Sequence, residues 1–175
     1  MAARNTRIGP ATVKEWSKTL APGSTILDLA CGHGVITNAL IEEGFTVYGV
    51  DASAKLIAEF RKRFPGVPAE CAAVEDSEFF GRTFDGIVAW GLLFLLPVEI
   101  QPLVIRKAER ALKPGGKFLF TATEDAVTWN DSLTGLESVS LGGERYRQII
   151  REEGLTLIGE DSDEGENHYF FSLKS

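Results

Sequence analysis

Short apolar runs alternate with longer amphipathic stretches along this chain, beginning at Thr25. The runs are rich in aliphatic and β-branched residues and end at turn residues, which is typical of buried strands. The longer stretches repeat apolar residues at spacings of three and four, which predicts helices. Predicted strands cover residues 25–29, 46–50, 69–74, 84–90, 117–123, 156–160 and 168–173, and predicted helices cover 12–20, 35–43, 54–64, 97–112 and 144–153. This alternation indicates an α/β sheet with helices on both faces.

The first predicted strand leads into a glycine-rich turn and then into a helix. Gly32 and Gly34 allow a sharp bend and let a ligand approach the backbone closely, and the free N–H groups of the following helix point into the same crevice. A dinucleotide-binding fingerprint needs a third glycine, but Thr37 stands there, and the Gly-Lys-Ser/Thr ending of a P-loop is absent. The turn therefore predicts a ligand site of another kind.

Four features, in register, resemble the class I S-adenosylmethionine-dependent methyltransferases. They are the acid and small residues Asp28, Ala30, Gly32 and Gly34, the acid Asp51 after the second strand, Phe84-Asp85 at the fourth strand, and the turn Leu112-Lys113-Pro114-Gly115-Gly116 before the fifth. Ala30 departs from the pattern, because the family usually has glycine there. The resemblance covers about residues 26–123 and implies one Rossmann-like, doubly wound domain whose sheet has seven strands with the last antiparallel.

The resemblance implies S-adenosyl-L-methionine as the cofactor and assigns roles to particular residues. Asp51 would accept both ribose hydroxyls, although a carboxylate there also suits a cap for the helix near Ser53. Many members carry an aspartate where Ala73 stands here, so Glu75 or Asp76 would take its place and accept from the adenine amine. Either acid could equally be a charge at a helix N-terminus. The backbone near Trp90 would meet the cofactor's amino group, unless Trp90 only fills the core. The full predicted set is Asp28, Ala30, Cys31, Gly32, Gly34, Asp51, Ala52, Val74, Glu75, Ala89 and Trp90.

The acceptor pocket is predicted to come from segments outside these motifs. Residues 1–24 form an N-terminal helical segment, either a lid or a helix packed on the sheet through Trp16, and residues 25–175 form the cofactor-binding domain. The loop 124–143 and the final hairpin complete the pocket, because loops at strand ends carry function. Candidate substrate residues are Trp16, Trp129, Asp131, Glu166, Asn167 and His168. His168 is also the candidate general base, with a hydrogen-bonded strand histidine as the alternative.

Composition limits the partners. A chain of 175 residues with a formal charge of -7 is one domain with little affinity for a phosphate backbone, so we expect no nucleic-acid partner. Its two cysteines lack metal-ligand spacing, which predicts no metal site. The start lacks the apolar core of a signal peptide, and the longest apolar run, 87–98, is too short for a bilayer. We therefore expect a cytoplasmic protein that does not enter membranes.

Methyl transfer to oxygen, nitrogen or sulfur of a small molecule is the leading functional hypothesis. This reaction is an in-line displacement that mainly needs alignment of the reacting atoms. The cover over the site is shallow, so the protein would act as a monomer or be completed by a second subunit in a homodimer. Two alternatives stay open, an NAD-type oxidoreductase and a noncatalytic cofactor-binding or partner module.

Overall fold

The computed structural model describes residues 2–130 and 135–175 of the chain. Its five helices are α1 (Ala2–Ser17), α2 (Val35–Glu42), α3 (Ala54–Arg63), α4 (Ile100–Ala111) and α5 (Gly143–Glu152). Its strands are β1 (Thr25–Leu29), β2 (Thr46–Asp51), β3 (Ala69–Cys71), β4 (Phe84–Ala89), β5 (Leu112–Ala122), β6 (Thr128–Asn130), β7 (Glu137–Val139), β8 (Leu155–Ser162) and β9 (His168–Lys174). Among the described residues, no helix has the length and apolar content needed to cross a bilayer.

Seven of the strands form one sheet in the order β3-β2-β1-β4-β5-β9-β8. The first five strands are parallel, and β9 is antiparallel to both of its neighbours. Strand order reverses between β1 and β4, so the crevice beyond their carboxyl ends is the expected ligand position in an open α/β sheet. The predicted doubly wound sheet with its last strand antiparallel is confirmed.

Apolar side chains alternate between the two faces of the sheet, and each face carries helices. Ile26 and Val88 belong to the core beneath α1 and α2, whereas Leu27 and Ile87 belong to the core beneath α4 and α5. A smaller cluster around Phe60 packs α3 against the sheet. Every central strand is therefore buried on both faces, as its continuous apolar sequence predicts.

Two predicted boundaries near the N-terminal half are wrong. Helix α1 begins at Ala2 and ends at Ser17, because the hydroxyls of Ser17 and Thr19 bond to backbone carbonyls one turn earlier and end the helix. Strand β3 ends at Cys71 instead of residue 74. There the backbone turns, because the N–H groups of Asp76 and Ser77 both donate to the carbonyl of Ala73.

Two further differences lie in the C-terminal half. The predicted turn 112–116 is the first part of β5, where Leu112 pairs with Phe84 and Lys117 pairs with Gly86, so the residues between them bulge out. The predicted loop 124–143 contains the antiparallel strands β6 and β7, with Trp129 opposite Ser138. The first feature depends on pairing with β4, which is distant in sequence. Strands β6 and β7 are neighbours in sequence, and the polar residues around them favour a loop.

Candidate active site

A cavity of about 340 Å³ opens at the carboxyl ends of β1, β2 and β3. Its lining is largely apolar, with the carboxylates of Asp51 and Glu75 among it. The complete lining is Ala30, Val50, Asp51, Ala52, Leu56, Ala72, Ala73, Val74, Glu75, Leu92, Leu95 and Leu96. An apolar pocket of this size with a few convergent polar groups, beside the switch point of an α/β sheet, has the character of a small-molecule site.

Asp51 connects the glycine turn to the start of α3. One carboxylate oxygen accepts from the N–H of Gly32 at 2.9 Å, and the other accepts from the N–H of Ser53 at 2.8 Å. The side-chain cap of α3 is Ser53, whose hydroxyl accepts from the N–H of Leu56. These two backbone bonds hold the carboxylate of Asp51 in one orientation at the wall of the cavity.

The glycine turn requires left-handed backbone at several positions. Gly32 has φ of 55° and Gly34 has φ of 101°, which only glycine adopts at low cost. Ala30 has φ of 61°, which explains physically why glycine suits this position better. The thiol of Cys31 packs against Gly49 and Phe60 in the core, and burial raises its pKa. The backbone N–H of Cys31 donates to Val50 and its carbonyl accepts from Gly34, so a cofactor contact through Cys31 stays a prediction.

Asp28 is buried between β1 and α2, with 1% of its surface exposed. Its carboxylate accepts a hydrogen bond of 2.7 Å from the hydroxyl of Thr37. Burial raises the pKa of Asp28 to about 7, and the nearby charge of Asp51 adds to the effect. A carboxyl group in this state takes up or releases a proton near neutral pH.

Replacing Asp28 with asparagine is expected to change how stability depends on pH. The pKa of Asp28 is higher in the folded state than its ordinary value of 3.8, so between about pH 4 and pH 7 the folded state keeps a proton that the unfolded state releases. Its contribution to the free energy of unfolding then falls by up to about 1.4 kcal/mol per pH unit in this window and is level above it. Urea unfolding at several pH values should show that the free energy of unfolding of Asp28→Asn increases relative to that of the wild type as the pH rises. Parallel curves would contradict the assignment.

Glu75 is the better candidate of the two acids near the adenine position. It lines the cavity, and its Oε2 atom is buried without a hydrogen-bond partner among the described residues. Asp76 is exposed to solvent. A buried oxygen without a donor is costly unless a ligand supplies one, so this atom is the natural acceptor for an amine of a bound molecule.

Three leucines of the cavity lining were missed by sequence reasoning. All three follow β4. Leu95 ends the one-turn 3₁₀ helix Leu93–Leu95, and Leu92 and Leu96 lie on either side of that helix. The sequence feature that could have identified them is the apolar run directly after β4, the strand at the switch point. Leu56, Ala72 and Ala73 could not be predicted as site residues either, because small and aliphatic side chains have no polar group that indicates a binding role.

The Trp90 side chain belongs to the core beside α1. Its indole N–H donates to the hydroxyl of Tyr169 at 3.1 Å, and a Cβ added to Gly9 would lie 2.6 Å from the indole ring. Within the described part of the chain, neither Trp90 nor Ala89 lines the cavity. A cofactor contact through the backbone of these two residues stays a prediction.

The predicted substrate residues lie in different places. Trp16 lines a second cavity, of about 320 Å³, between α1 and the strands β8 and β9. Trp129 packs its ring 5.6 Å from that of Phe94, next to Leu95 of the first cavity. Glu166 is exposed in the β8–β9 turn, where Asn167 bonds to Asp163. Asp131 lies outside the described residues. Within the described part of the chain, none of these candidates lines the first cavity, and Trp129 contacts a residue adjacent in sequence to its lining.

His168 belongs to a charged cluster on the α5 side of the sheet. Its Nε2 atom lies 2.6 Å from Glu160, and its Nδ1 atom lies 3.1 Å from the hydroxyl of Ser162. Arg147 donates to both Glu160 and Glu124, and its hydrogen bond is the main reason that the pKa of Glu160 is lowered to about 2. Glu124, Glu160 and His168 are close enough to share a metal ion, but the guanidinium already supplies the compensating charge.

A largely apolar pocket with two acidic residues, beside the switch point of a seven-stranded α/β sheet, is typical of a domain that binds a small molecule or cofactor. A family profile described as a methyltransferase domain matches residues 26–116, just over half of the chain. The chain therefore belongs to this methyltransferase family, and its sheet is that of the class I S-adenosylmethionine-dependent methyltransferases.

Individual relatives and solved structures agree with this membership. An uncharacterised methyltransferase of Synechocystis is 32% identical over 63% of this chain and 52% of its own length. A ubiquinone biosynthesis O-methyltransferase of Coxiella burnetii is 29% identical over 79% of this chain and 62% of its own length. The chain thus spans roughly half to three fifths of these relatives. In fold, it resembles the 1,6-didemethyltoxoflavin-N1-methyltransferase of Burkholderia thailandensis, solved with S-adenosylhomocysteine, with a TM-score of 0.80 at 16% identity over 95% of this chain and 78% of that one.

Proposed function

We propose that this protein transfers the methyl group of S-adenosylmethionine to a small-molecule acceptor. The observation that carries the proposal is the cavity itself, in which an oriented carboxylate, Asp51, and a buried carboxylate oxygen without a partner, on Glu75, line an otherwise largely apolar space. Adenosine combines an apolar ring with donors at two separated positions. The two carboxylates match that combination.

The residues present fit each part of this cofactor. Asp51 would accept from the two ribose hydroxyls, and Glu75 would accept from the adenine amine. The leucines after β4 would contact the adenine ring, and the turn at Gly32 and Gly34, which has no Cβ at these two positions, would let the methionine end approach the backbone closely. Bound there, the cofactor supplies an electrophilic methyl group on a positively charged sulfur.

The contribution of the protein to such a reaction is alignment and exclusion of water. In-line displacement gains most from holding the two reactants in line, so no catalytic side chain is obligatory. Both ring nitrogens of His168 already have partners. A role for His168 as general base therefore stays a prediction that depends on an acceptor that reaches the Glu160 cluster.

The acceptor side of the proposal rests on the rim of the cavity. Leu95 both lines the cavity and is 40% exposed, and the Phe94–Trp129 ring pair lies next to it. We propose that the acceptor binds there. Of the two expectations for the N-terminal segment 1–24, we propose the helix packed on the domain 25–175 instead of the lid, since Val13 and Trp16 pack in the core with Ile26 and Val88. Two of the named proteins carry small-molecule names, the ubiquinone biosynthesis O-methyltransferase and the 1,6-didemethyltoxoflavin-N1-methyltransferase, which supports a small acceptor. We further propose a cytoplasmic location without nucleic-acid or membrane partners, and a monomer or homodimer.

Direct binding and turnover test this function. Calorimetry should detect binding of S-adenosylhomocysteine and no comparable binding of NAD+, because Thr37 stands where a dinucleotide-binding fingerprint needs its third glycine. Transfer of a labelled methyl group to a panel of small hydroxyl, amine and thiol compounds should then yield at least one product, which would exclude a noncatalytic module. If the protein binds NAD+ and not S-adenosylhomocysteine, the proposal is wrong.

A further inference from the structure

Lys107 is outside the cavity lining but bonds to residues that form part of it. It lies on α4, and its ammonium donates to the backbone carbonyls of Val74, Glu75 and Ser77 at 2.7, 3.0 and 2.6 Å. A lysine ammonium has three donors, so these three carbonyls use all of them. The same ammonium lies 4.8 Å from the ring centre of Phe79. One side chain, on a helix outside the cavity lining, therefore binds three of the four backbone carbonyls in the segment 74–77.

The hydrogen bond from Lys107 to the Val74 carbonyl fixes the direction of the peptide group between Val74 and Glu75. In a trans peptide the C=O and the following N–H point in opposite directions, and the chain contains no cis peptide bond among its described residues. Because the Val74 carbonyl points toward Lys107, the Glu75 N–H points away from it. That N–H donates to none of the described residues. Val74 and Glu75 both line the cavity.

Apart from Lys107, the segment is held at its two ends. Val74 packs in the core, and the Ser77 hydroxyl donates to Glu70 and accepts from the N–H of Phe79. The internal backbone bonds of the segment run from the N–H groups of Asp76 and Ser77 to the single carbonyl of Ala73. Directly beyond it, Phe79 and Phe80 have φ of 49° and 60°, which is unfavourable for residues with a Cβ. Within the segment, the ammonium of Lys107 is the contact that binds the carbonyls of Val74 and Glu75 directly.

We propose that Lys107 is a positioning residue for base recognition, which turns the Val74–Glu75 peptide so that the Glu75 N–H and carboxylate together select adenine. This inference rests on the proposed function. Adenine offers a ring nitrogen that accepts from the N–H and an amine that donates to the carboxylate. Hypoxanthine presents the reverse pattern, a ring N–H and a carbonyl oxygen, at the same two positions, so it would be repelled at both.

Calorimetry with two ligands tests this role. The wild type should bind S-adenosylhomocysteine at least about tenfold more tightly than S-inosylhomocysteine, since a hydrogen-bonding site rejects analogues that leave its polar groups unpaired. In Lys107→Met, which keeps the length of the side chain but has no donor, this preference should fall about fivefold or more. Arg110→Met, an exposed position one turn further along α4, should keep the preference of the wild type.

The preference ratio separates positioning from general support of the fold. A purely structural role would weaken both ligands equally and leave the ratio unchanged, which would overturn the inference. Lys107→Arg keeps the charge, but its planar fork does not gather three carbonyls at one point, so its ratio should lie between those of the wild type and Lys107→Met. If Lys107→Met does not fold, the arginine variant decides, and a wild-type ratio there would overturn the inference. A wild type that binds neither ligand would instead reject the proposed function.

Discussion

Replacing Asp51 with alanine is expected to weaken binding of S-adenosylhomocysteine about a hundredfold or more. The carboxylate is held in place by the N–H groups of Gly32 and Ser53, so it would meet both ribose hydroxyls without reorientation. Hydrogen bonds to a charged group contribute about 1.5–3 kcal/mol each, and two such bonds are removed together. Isothermal titration calorimetry at constant pH and salt measures the loss.

The control for this variant is Glu59→Gln. Glu59 is exposed on α3, the helix that follows Asp51, and its replacement also removes one negative charge. If Asp51 acts through direct contact, Glu59→Gln should bind as the wild type does. An Asp51→Ala variant that keeps its affinity while remaining folded would remove the ribose assignment.

Replacing Gly34 with alanine is expected to destabilise the protein by about 2–5 kcal/mol. Gly34 has φ of 101°, a backbone region that costs a residue with a Cβ about 1–2 kcal/mol. A Cβ there would also lie 2.2 Å from the ring of Phe64, and relieving such overpacking costs about 1–3 kcal/mol more. Because Phe64 packs against Phe60, the ring cannot move without disturbing α3. Urea unfolding measures the change.

Gly44→Ala is the matched control for the backbone term. Gly44 has φ of 89°, and a Cβ there would meet nothing within 4 Å. It should therefore lose only the backbone contribution, about 1–2 kcal/mol. Equal losses in Gly34→Ala and Gly44→Ala would show that the contact with Phe64 is unimportant.

The position of the cavity at the ends of β1 and β2 could be predicted from the sequence because its signals are local, whereas the cofactor contacts stay predictions. An acid, small residues and two glycines follow one buried strand at fixed spacing, and Asp51 ends the next strand. Strand ends of a parallel sheet meet at one edge, so order along the chain almost determines proximity. The structure places Asp51 in contact with Gly32 as this reasoning requires.

The remaining parts of the site depend on contacts between distant segments, which single-sequence patterns do not encode. Lys107 supports residues 74–77 from a helix about thirty positions later. His168 was singled out for its imidazole, yet its surroundings are set by Arg147 and Glu160 on two other elements. The strands β6 and β7, by contrast, are neighbours in sequence and form a two-stranded sheet of their own, and the polar residues around them favour a loop.

A crystal structure of the protein with S-adenosylhomocysteine tests the central claim most directly. The account predicts the adenosine in the cavity at the carboxyl ends of β1 to β3, with both ribose hydroxyls within about 2.6–3.2 Å of the Asp51 carboxylate and the adenine amine at Glu75. Adenosine bound elsewhere, or an Asp51 carboxylate that makes no contact with the ribose, would contradict it.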